Sequence, residues 1–315
     1  MWHDNFIMRE ARSCGIKVLS VILSWDNTST KGMEGAVSDS YVVWTETMKE
    51  EITSFFDVSR DKIFVSGSVI FDSYYRNHNP WNYNRLCTKY GLDPKRKLIV
   101  VGTKSPSSYP YNPDVVEIIA KAIADDLLCF PCQILVRLHP NHFRPRKESH
   151  KIESDMERYR YLQNKYDNIY LDIPEVNSYI LPVDMPAKEI DKLTCVIKNA
   201  DILVTMFSTL MLEASVCDVP IINAAMFAHN ENLNVSDCRV KGFYHIARVL
   251  ETGGVRTAYT PEKLIEYINQ YLFSPSTDKE ERAQIVANEC QPNLGSAGTV
   301  LGNYISRQAI EWQKR

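Results

Sequence analysis

Leu98-Ile-Val-Val-Gly102, then a helical stretch from Pro113 to Leu128, then Gln133-Ile-Leu-Val-Arg137, is the part of the sequence that decides the fold. Both flanking runs are short, rich in β-branched residues and almost free of polar alternation, which reads as strands covered on both faces. Between them Val116, Ile119, Ile123 and Leu127 recur at helical spacing and predict one apolar face, and Pro113 suits the first turn of a helix. Strand, amphipathic helix and strand in that order make a βαβ unit, whose crossover forces the two strands to run parallel.

The same alternation extends in both directions. Downstream lie a polar helix to Tyr166, a strand near Ile169, a helix over Lys188 to Asn199, the strand Asp201-Ile-Leu-Val-Thr205, a helix from Thr209 and the strand Pro220-Ile-Ile-Asn223. Helices over Pro261 to Leu272, Asp278 to Cys290 and Gly298 to Trp312 follow. Upstream, a helical stretch Phe6 to Ser13 precedes the strand run Ile16 to Leu23, and Ser40-Tyr-Val-Val-Trp44 is a second strand. Thr47 and Glu50 stand at capping-box spacing for the next helix, and Lys62 to Ser66 is a third strand closed by Gly67. From Phe71 to Lys97 the composition turns to Tyr, Asn, Arg and Pro, which predicts a linker with one short helix. The expected fold class is α/β, with about four strands in the second unit against three in the first. The first unit opens mid-pattern on a helix and reads as incomplete.

A chain of 315 residues, 44% hydrophobic and 10% aromatic, suits roughly two domains of about 150 residues and excludes global disorder. With 36 Lys+Arg against 39 Asp+Glu the net charge of -3 provides no whole-chain field for a nucleic acid or an anionic membrane, so an anion must be gripped locally. The eight cysteines are scattered, which favours a reducing compartment over a disulfide framework. Cys129 and Cys132 form the one C-x-x-C, without a second pair to complete a zinc site. No apolar run approaches the roughly 18 residues of a membrane span, and the start lacks signal-peptide character. The expectation is a cytoplasmic protein, at most peripheral at the inner face of a membrane, in which the sequons at Asn27 and Asn234 carry no glycan.

Four segments at strand ends hold polar residues suited to chemistry. Arg137-Leu-His-Pro-Asn-His142 ends a strand and is followed by Arg144, Arg146 and Lys147; ligands of open parallel sheets bind beyond those carboxyl ends, so Arg137 and His139, with Pro140 fixing the turn, suit a phosphate. A solvated basic loop explains the same residues about equally well. In Thr205-Met-Phe-Ser-Thr-Leu-Met-Leu-Glu-Ala214, the Ser208 and Thr209 hydroxyls fall where a helix begins, and Glu213 one turn on is placed to accept ribose hydroxyls. An ordinary N-cap and a surface charge are the alternative. Gly102, Thr103 and Lys104 offer close backbone approach and a cation, without the full P-loop pattern. Ser24-Trp-Asp-Asn-Thr-Ser-Thr-Lys-Gly32 contains Asp26, a candidate base that an Asx-turn explains at least as well. G-x-S-x-G, H-E-x-x-H, Walker A and D-x-D are all absent from the sequence. Without D-x-D, metal-free stabilisation of the phosphates is the expectation.

Taken in order, Ser24 to Gly32, Val43-Trp-Thr-Glu-Thr-Met-Lys-Glu-Glu51, Lys62 to Asp72, Arg137-Leu-His-Pro140 and Ala200 to Ala214 resemble GT-B-fold glycosyltransferases of bacterial surface polysaccharide synthesis, including relatives of the CDP-glycerol glycerophosphotransferases. The resemblance implies two facing Rossmann-like domains: a partial acceptor-side domain over 1–75, a linker over 76–96, a donor domain over 97–295, and a last helix over 296–315 returning to the first domain through Val300, Tyr304, Ile305, Ile310 and Trp312. It implies His139, Ser208 and Thr209 at the donor phosphates in the cleft and Glu213 near the ribose. Asp26 and Glu46 are the candidate catalytic bases. No cofactor is expected. The partners are a UDP-, CMP- or CDP-linked donor and a glycan or lipid-linked acceptor, with self-association through the incomplete sheet and no nucleic acid. Non-hydrolysing sugar-nucleotide epimerases share the fold and a His-Pro-Asn at a strand end, as in His139-Pro-Asn141, and rank second because their phosphate loop is richer in glycine than Phe207-Ser-Thr209. A non-catalytic nucleotide-binding scaffold is the third reading.

Overall fold

The computed structural model describes residues 2–30, 35–76, 79–143, 150–178, 184–226 and 243–314. Two units emerge. One comprises Met1–Arg76, Phe243–Arg248 and Gln284–Arg315, and the other Asn77–Gly242 and Val249–Ala283.

In the first unit β1 (Leu19–Val21), β2 (Ser40–Val43) and β3 (Ile63–Val65) form a parallel sheet in the order β1-β2-β3. Central β2 is buried along its length, and Val42 pairs with Val21 on one side and Phe64 on the other. The helix Glu46–Phe56 is capped by Thr45, whose extended backbone lets its hydroxyl accept the Met48 N–H at 3.2 Å. This corrects the Thr47–Glu50 capping box: the helix is capped two residues earlier, and Thr47 instead donates its hydroxyl to the Asn288 carbonyl at 3.2 Å.

The last helix, Ala297–Gln313, packs on this sheet. Asp72 caps it from outside, accepting the N–H groups of Ala297 (3.0 Å) and Gly298 (2.8 Å). Tyr304 stacks on Phe64 at 4.0 Å, with its hydroxyl 2.7 Å from Ser40 Oγ. Residues 284–295, read from sequence with the second domain, also belong here: Asn293 Nδ2 donates to the Ser66 carbonyl at 3.1 Å, and Gly67, at φ 83°, lies so close to the Pro292 carbonyl that a Cβ would collide with it. Apolar periodicity carries no trace of such contacts with the main chain.

The second unit is a doubly wound sheet of six strands, β4 (Lys97–Gly102), β5 (Cys132–Arg137), β6 (Ile169–Asp172), β7 (Ile202–Thr205), β8 (Ile221–Ala224) and β9 (Arg256–Ala258), all parallel in the order β6-β5-β4-β7-β8-β9. Five of these strands fall where the sequence places them, and β9 is the one it does not show; Arg256-Thr-Ala258 is too short and too polar to stand out. Ile99, Val101, Ile134, Val136, Ile202 and Val204 point to one face, where Val115, Val116 and Ile119 of the helix Asn112–Ala124 and Leu264, Ile268 and Tyr271 of the helix Pro261–Phe273 complete the core. Each buried aliphatic side chain stabilises by about 1.5–3 kcal/mol. Leu127 departs from expectation: it lies past the end of its helix and is 52% exposed. The chain winds outward from β4 through β5 to β6, then returns to β7 beside β4 and winds the other way. The reversal leaves a crevice beyond the carboxyl ends of β4 and β7, the usual ligand position in such sheets.

Candidate functional site

Register places Gly102, Arg137 and Thr205 side by side at the ends of β4, β5 and β7. Neighbouring strands lie about 4.8 Å apart, so residues following these three ends share a patch about 10 Å across, the scale of a diphosphate. His139, Lys104 and Ser208 each follow one of those ends.

His139 is held by its own turn. Its main-chain N–H donates to Thr103 Oγ1 at 2.8 Å, and its Nδ1 accepts the Asn141 N–H at 3.1 Å. A nitrogen that accepts carries no proton, so the neutral ring bears its hydrogen on Nε2. Burial, then the charges of Arg137 and Lys104, push the imidazole pKa down to about 4, so it is a neutral donor at pH 7. Pro140 opens the short helix that supplies the Asn141 amide.

Lys104 is half-buried, with Nζ 5.7 Å from the Phe207 ring centroid. Its main chain is clamped by Asn112, whose Oδ1 accepts the Lys104 N–H at 2.9 Å and whose Nδ2 donates to the Lys104 carbonyl at 3.0 Å. Phe207 has φ 46°, a left-handed conformation costing a bulky residue about 1–2 kcal/mol. Its N–H donates to Oδ1 of the fully buried Asn223 at 2.9 Å. That bond holds the sharp bend which lifts half-buried Ser208 and exposed Thr209 past the end of β7. Ser208 Oγ accepts the Leu210 N–H at 3.3 Å, and Glu213 sits in the first turn of the helix Leu210–Val216. Asn112 and Asn223 were missed from sequence because a buried amide has no periodic signature.

Three expected ligand residues have other tasks. The space beside Gly102 is filled by Leu210, so the missing side chain admits a helix rather than a phosphate. Thr103 is 3% exposed and spends its hydroxyl on His139 and, at 3.3 Å, on His142 Nε2. Arg137 is buried in an ion cluster: its guanidinium lies 2.8 Å from Asp172 Oδ2 and 2.6 Å from Glu189 Oε1. Lys192 Nζ lies 2.7 Å from Asp172 Oδ1 and 2.6 Å from Glu189 Oε1, and the Tyr90 hydroxyl donates to Asp172 at 2.5 Å. Burial alone would raise the Asp172 pKa, but Arg137 and Lys192 hold it below the ordinary value. Two cations and two carboxylates balance, and Arg137 is thereby withdrawn from ligand binding. Arg144, Arg146 and Lys147 lie outside the described residues.

In the first unit Asp26 follows β1. Ser24 Oγ donates to its carboxylate at 2.5 Å, and its carbonyl accepts the Thr30 N–H at 3.0 Å, a main-chain bond of the short helix Asn27–Thr30. Beside it Trp25 meets His245 edge-on at 4.5 Å, and Ser29 Oγ lies 3.1 Å from His245 Nδ1; His245 had no motif to single it out. Glu46 is 68% exposed, 3.9 Å from Arg60, a solvated ion pair without the surroundings of a base. Cys129 is exposed and Cys132 buried, both as free thiols.

No family model and no curated protein matches the sequence. Solved structures do match. The wall teichoic acid polymerase TagF superimposes with a TM-score of 0.57 at 15% identity, over 88% of this chain and 59% of that one. The UDP-GlcNAc 2-epimerase of Methanocaldococcus jannaschii gives 0.55 at 16% identity, over 93% of this chain and 72% of that one. The UDP-GlcNAc 2-epimerase of Neisseria meningitidis, bound to UDP-GlcNAc, gives 0.52 at 13% identity over 86% and 61%. The chain thus spans about 60% of the length of TagF. At these identities the likeness establishes architecture: the protein has the α/β, Rossmann-like GT-B fold shared by TagF and the UDP-GlcNAc 2-epimerases.

Proposed function

We propose that the second unit binds a nucleoside-diphosphate-linked donor beyond β4, β5 and β7, and that the protein is a glycosyltransferase moving its sugar or polyol phosphate to a surface-glycan or lipid-linked acceptor. The observation that carries this reading is His139, with Nδ1 occupied by the Asn141 amide and Nε2–H left as donor at the end of β5. Lys104 supplies positive charge from the neighbouring strand end, and Ser208 and Thr209 supply hydroxyls beyond β7. A neutral imidazole donates without the cost of burying a charge, and Lys104 meets the charge that builds on the leaving phosphate. Glu213 faces the ribose in this reading. Asp26 serves as base toward the acceptor hydroxyl, and Glu46 is set aside because of its solvated pairing with Arg60. Transfer runs without a divalent ion; turnover abolished by EDTA and restored by magnesium would contradict that.

A thermal-shift panel of CMP, CDP, UDP, GDP and their sugars tests the donor reading, because a ligand at 100 times its Kd adds about 2.7 kcal/mol to the folded state. The reading expects one base to stand out, and no shift with any nucleotide overturns it. A second reading, epimerisation of a UDP-sugar at C2, is supported by His139-Pro140-Asn141 and by the coverage of the M. jannaschii enzyme. Formation of the C2 epimer from UDP-GlcNAc without an acceptor would favour it.

A further inference from the structure

The loop that follows β4 is closed into a ring. The main-chain N–H groups of Ser108 and Tyr109 donate to the Ser105 carbonyl at 2.8 and 2.9 Å. Asn112, 1% exposed, joins the two ends: its Nδ2 donates to the carbonyls of Lys104 and Tyr109, and its Oδ1 accepts the Lys104 N–H. Lys104 and Tyr109 are thereby fixed to each other. Lys104 stands at the candidate site, with Nζ over the Phe207 ring, while Tyr109 is sunk in the core beside Tyr111, edge-on at 5.9 Å.

Tyr109 fastens this ring to a strand that is not its neighbour. Its hydroxyl donates to the Met226 carbonyl at 2.7 Å and lies 3.3 Å from the carbonyl of Ala224, the last residue of β8. In the order β4-β7-β8 that strand is two places from β4, about 10 Å away, so the contact spans the end of β7. The bend after β7 is fastened to the same strand, because Asn223 Oδ1 accepts the Phe207 N–H at 2.9 Å. The end of β8 thus anchors two separate pieces of the site, the ring that carries Lys104 and the bend that carries Ser208. A phenylalanine ring would fill the core at 109 equally well; only the hydroxyl reaches the β8 carbonyls.

We propose that Tyr109 is a positioning residue of the donor site: its hydroxyl, together with Asn223, holds Lys104 and Ser208 at the separation at which both reach one diphosphate. The proposal rests on the donor reading, in which those two side chains meet the phosphates. Groups that bind a ligand keep their geometry through buried supports of this kind. A monophosphate met by either group is indifferent to the separation between them, whereas a diphosphate that bridges both depends on it. Loss of the Tyr109 hydroxyl therefore weakens the hold on the second phosphate and spares the rest of the nucleotide.

Isothermal titration of CMP, CDP, UMP and UDP into the full chain tests it. In the wild type a diphosphate is expected to bind more tightly than the monophosphate of the same base. In Tyr109→Phe the ratio of diphosphate to monophosphate affinity should fall about two- to tenfold, the equivalent of one hydrogen bond. Tyr271→Phe is the control: that residue is 0% exposed in the same core and donates its hydroxyl to Asp278 at 2.7 Å, so its loss should lower Tm and leave the ratio unchanged. Asn223→Ala cuts the other attachment to β8 and should lower the ratio as well, so it decides if Tyr109→Phe does not fold. A ratio unchanged in Tyr109→Phe, a ratio lowered equally in Tyr271→Phe, or a monophosphate that binds the wild type as tightly as the diphosphate overturns the proposal and leaves the donor reading standing. A wild type that binds none of the four nucleotides overturns the donor reading and this proposal with it.

Discussion

Replacing Asp172 by Asn removes one of two negative charges from a cluster that contains Arg137 and Lys192 and is sealed from water, with Asp172 itself 0% exposed. The carboxylate faces a guanidinium at 2.8 Å, an ammonium at 2.7 Å and the Tyr90 hydroxyl at 2.5 Å. An amide of the same shape leaves both cations sharing Glu189, and the cluster passes from neutral to a buried excess of one positive charge. Breaking such a network on one side costs about 3–5 kcal/mol. For a unit of this size each kcal/mol moves Tm by about 2–4 °C, so the expected loss is about 6–20 °C. Thermal and urea unfolding of Asp172→Asn measure it. The double variant Asp172→Asn/Arg137→Met restores charge balance, so its loss should fall short of the sum of the single losses. The pH dependence has a definite sign. The Asp172 pKa is lowered on folding, so its contribution is present above the unfolded value of about 3.9 and is lost as pH falls through the folded value. Asp172→Asn should therefore show a shallower acid loss below about pH 4. A destabilisation under about 1 kcal/mol, or an Arg137→Met variant that loses nucleotide affinity with stability unchanged, would refute the assignment of Arg137 to the framework.

Three further outcomes follow from the same geometry. Gly102→Ala places a methyl group where Leu210 packs and should cost about 1–3 kcal/mol in urea unfolding, with Leu210→Ala in the same chain recovering part of it. Asn223→Ala frees the Phe207 N–H and should cost about 1–3 kcal/mol while weakening nucleotide binding through Ser208; unfolding and calorimetry read the two effects separately. His139 titrates near 4 when folded against about 6.5 unfolded, so the unfolded chain binds the extra proton between those values, and stability falls as pH drops from about 6.5 to 4. His139→Gln should flatten that slope in pH-dependent unfolding, and an unchanged slope would count against the buried neutral imidazole.

Parallel α/β architecture is legible in the sequence because strands such as Leu98 to Val101 are buried on both faces and therefore uniformly apolar. The His139 turn is legible for a related reason: a proline fixes it and polar residues follow a strand end. Other features leave no local mark. β9 is three residues long, and two of them are half-buried. The Thr45 cap depends on where β2 ends, not on the spacing of Thr47 and Glu50. The attachment of residues 284–295 to the first unit is seen in the Pro292 carbonyl against Gly67 and the Asn293 side-chain amide on the Ser66 carbonyl, and such polar contacts have no hydrophobic period. At the site the difficulty is charge. Arg137 reads as a phosphate ligand until Asp172 and Glu189, 35 and 52 residues away, are seen to neutralise it. A buried cation and a binding cation look the same in one dimension.

Isothermal titration of CDP and UDP into the wild type and His139→Ala at pH 7.5 tests the central claim most directly. Loss of the Nε2–H donor to a charged phosphate removes about 1.5–3 kcal/mol, so the account predicts affinity lower by about tenfold to a hundredfold, with thermal stability within about 1 kcal/mol of wild type. Equal affinity in the two proteins would contradict the placement of the phosphates at the end of β5.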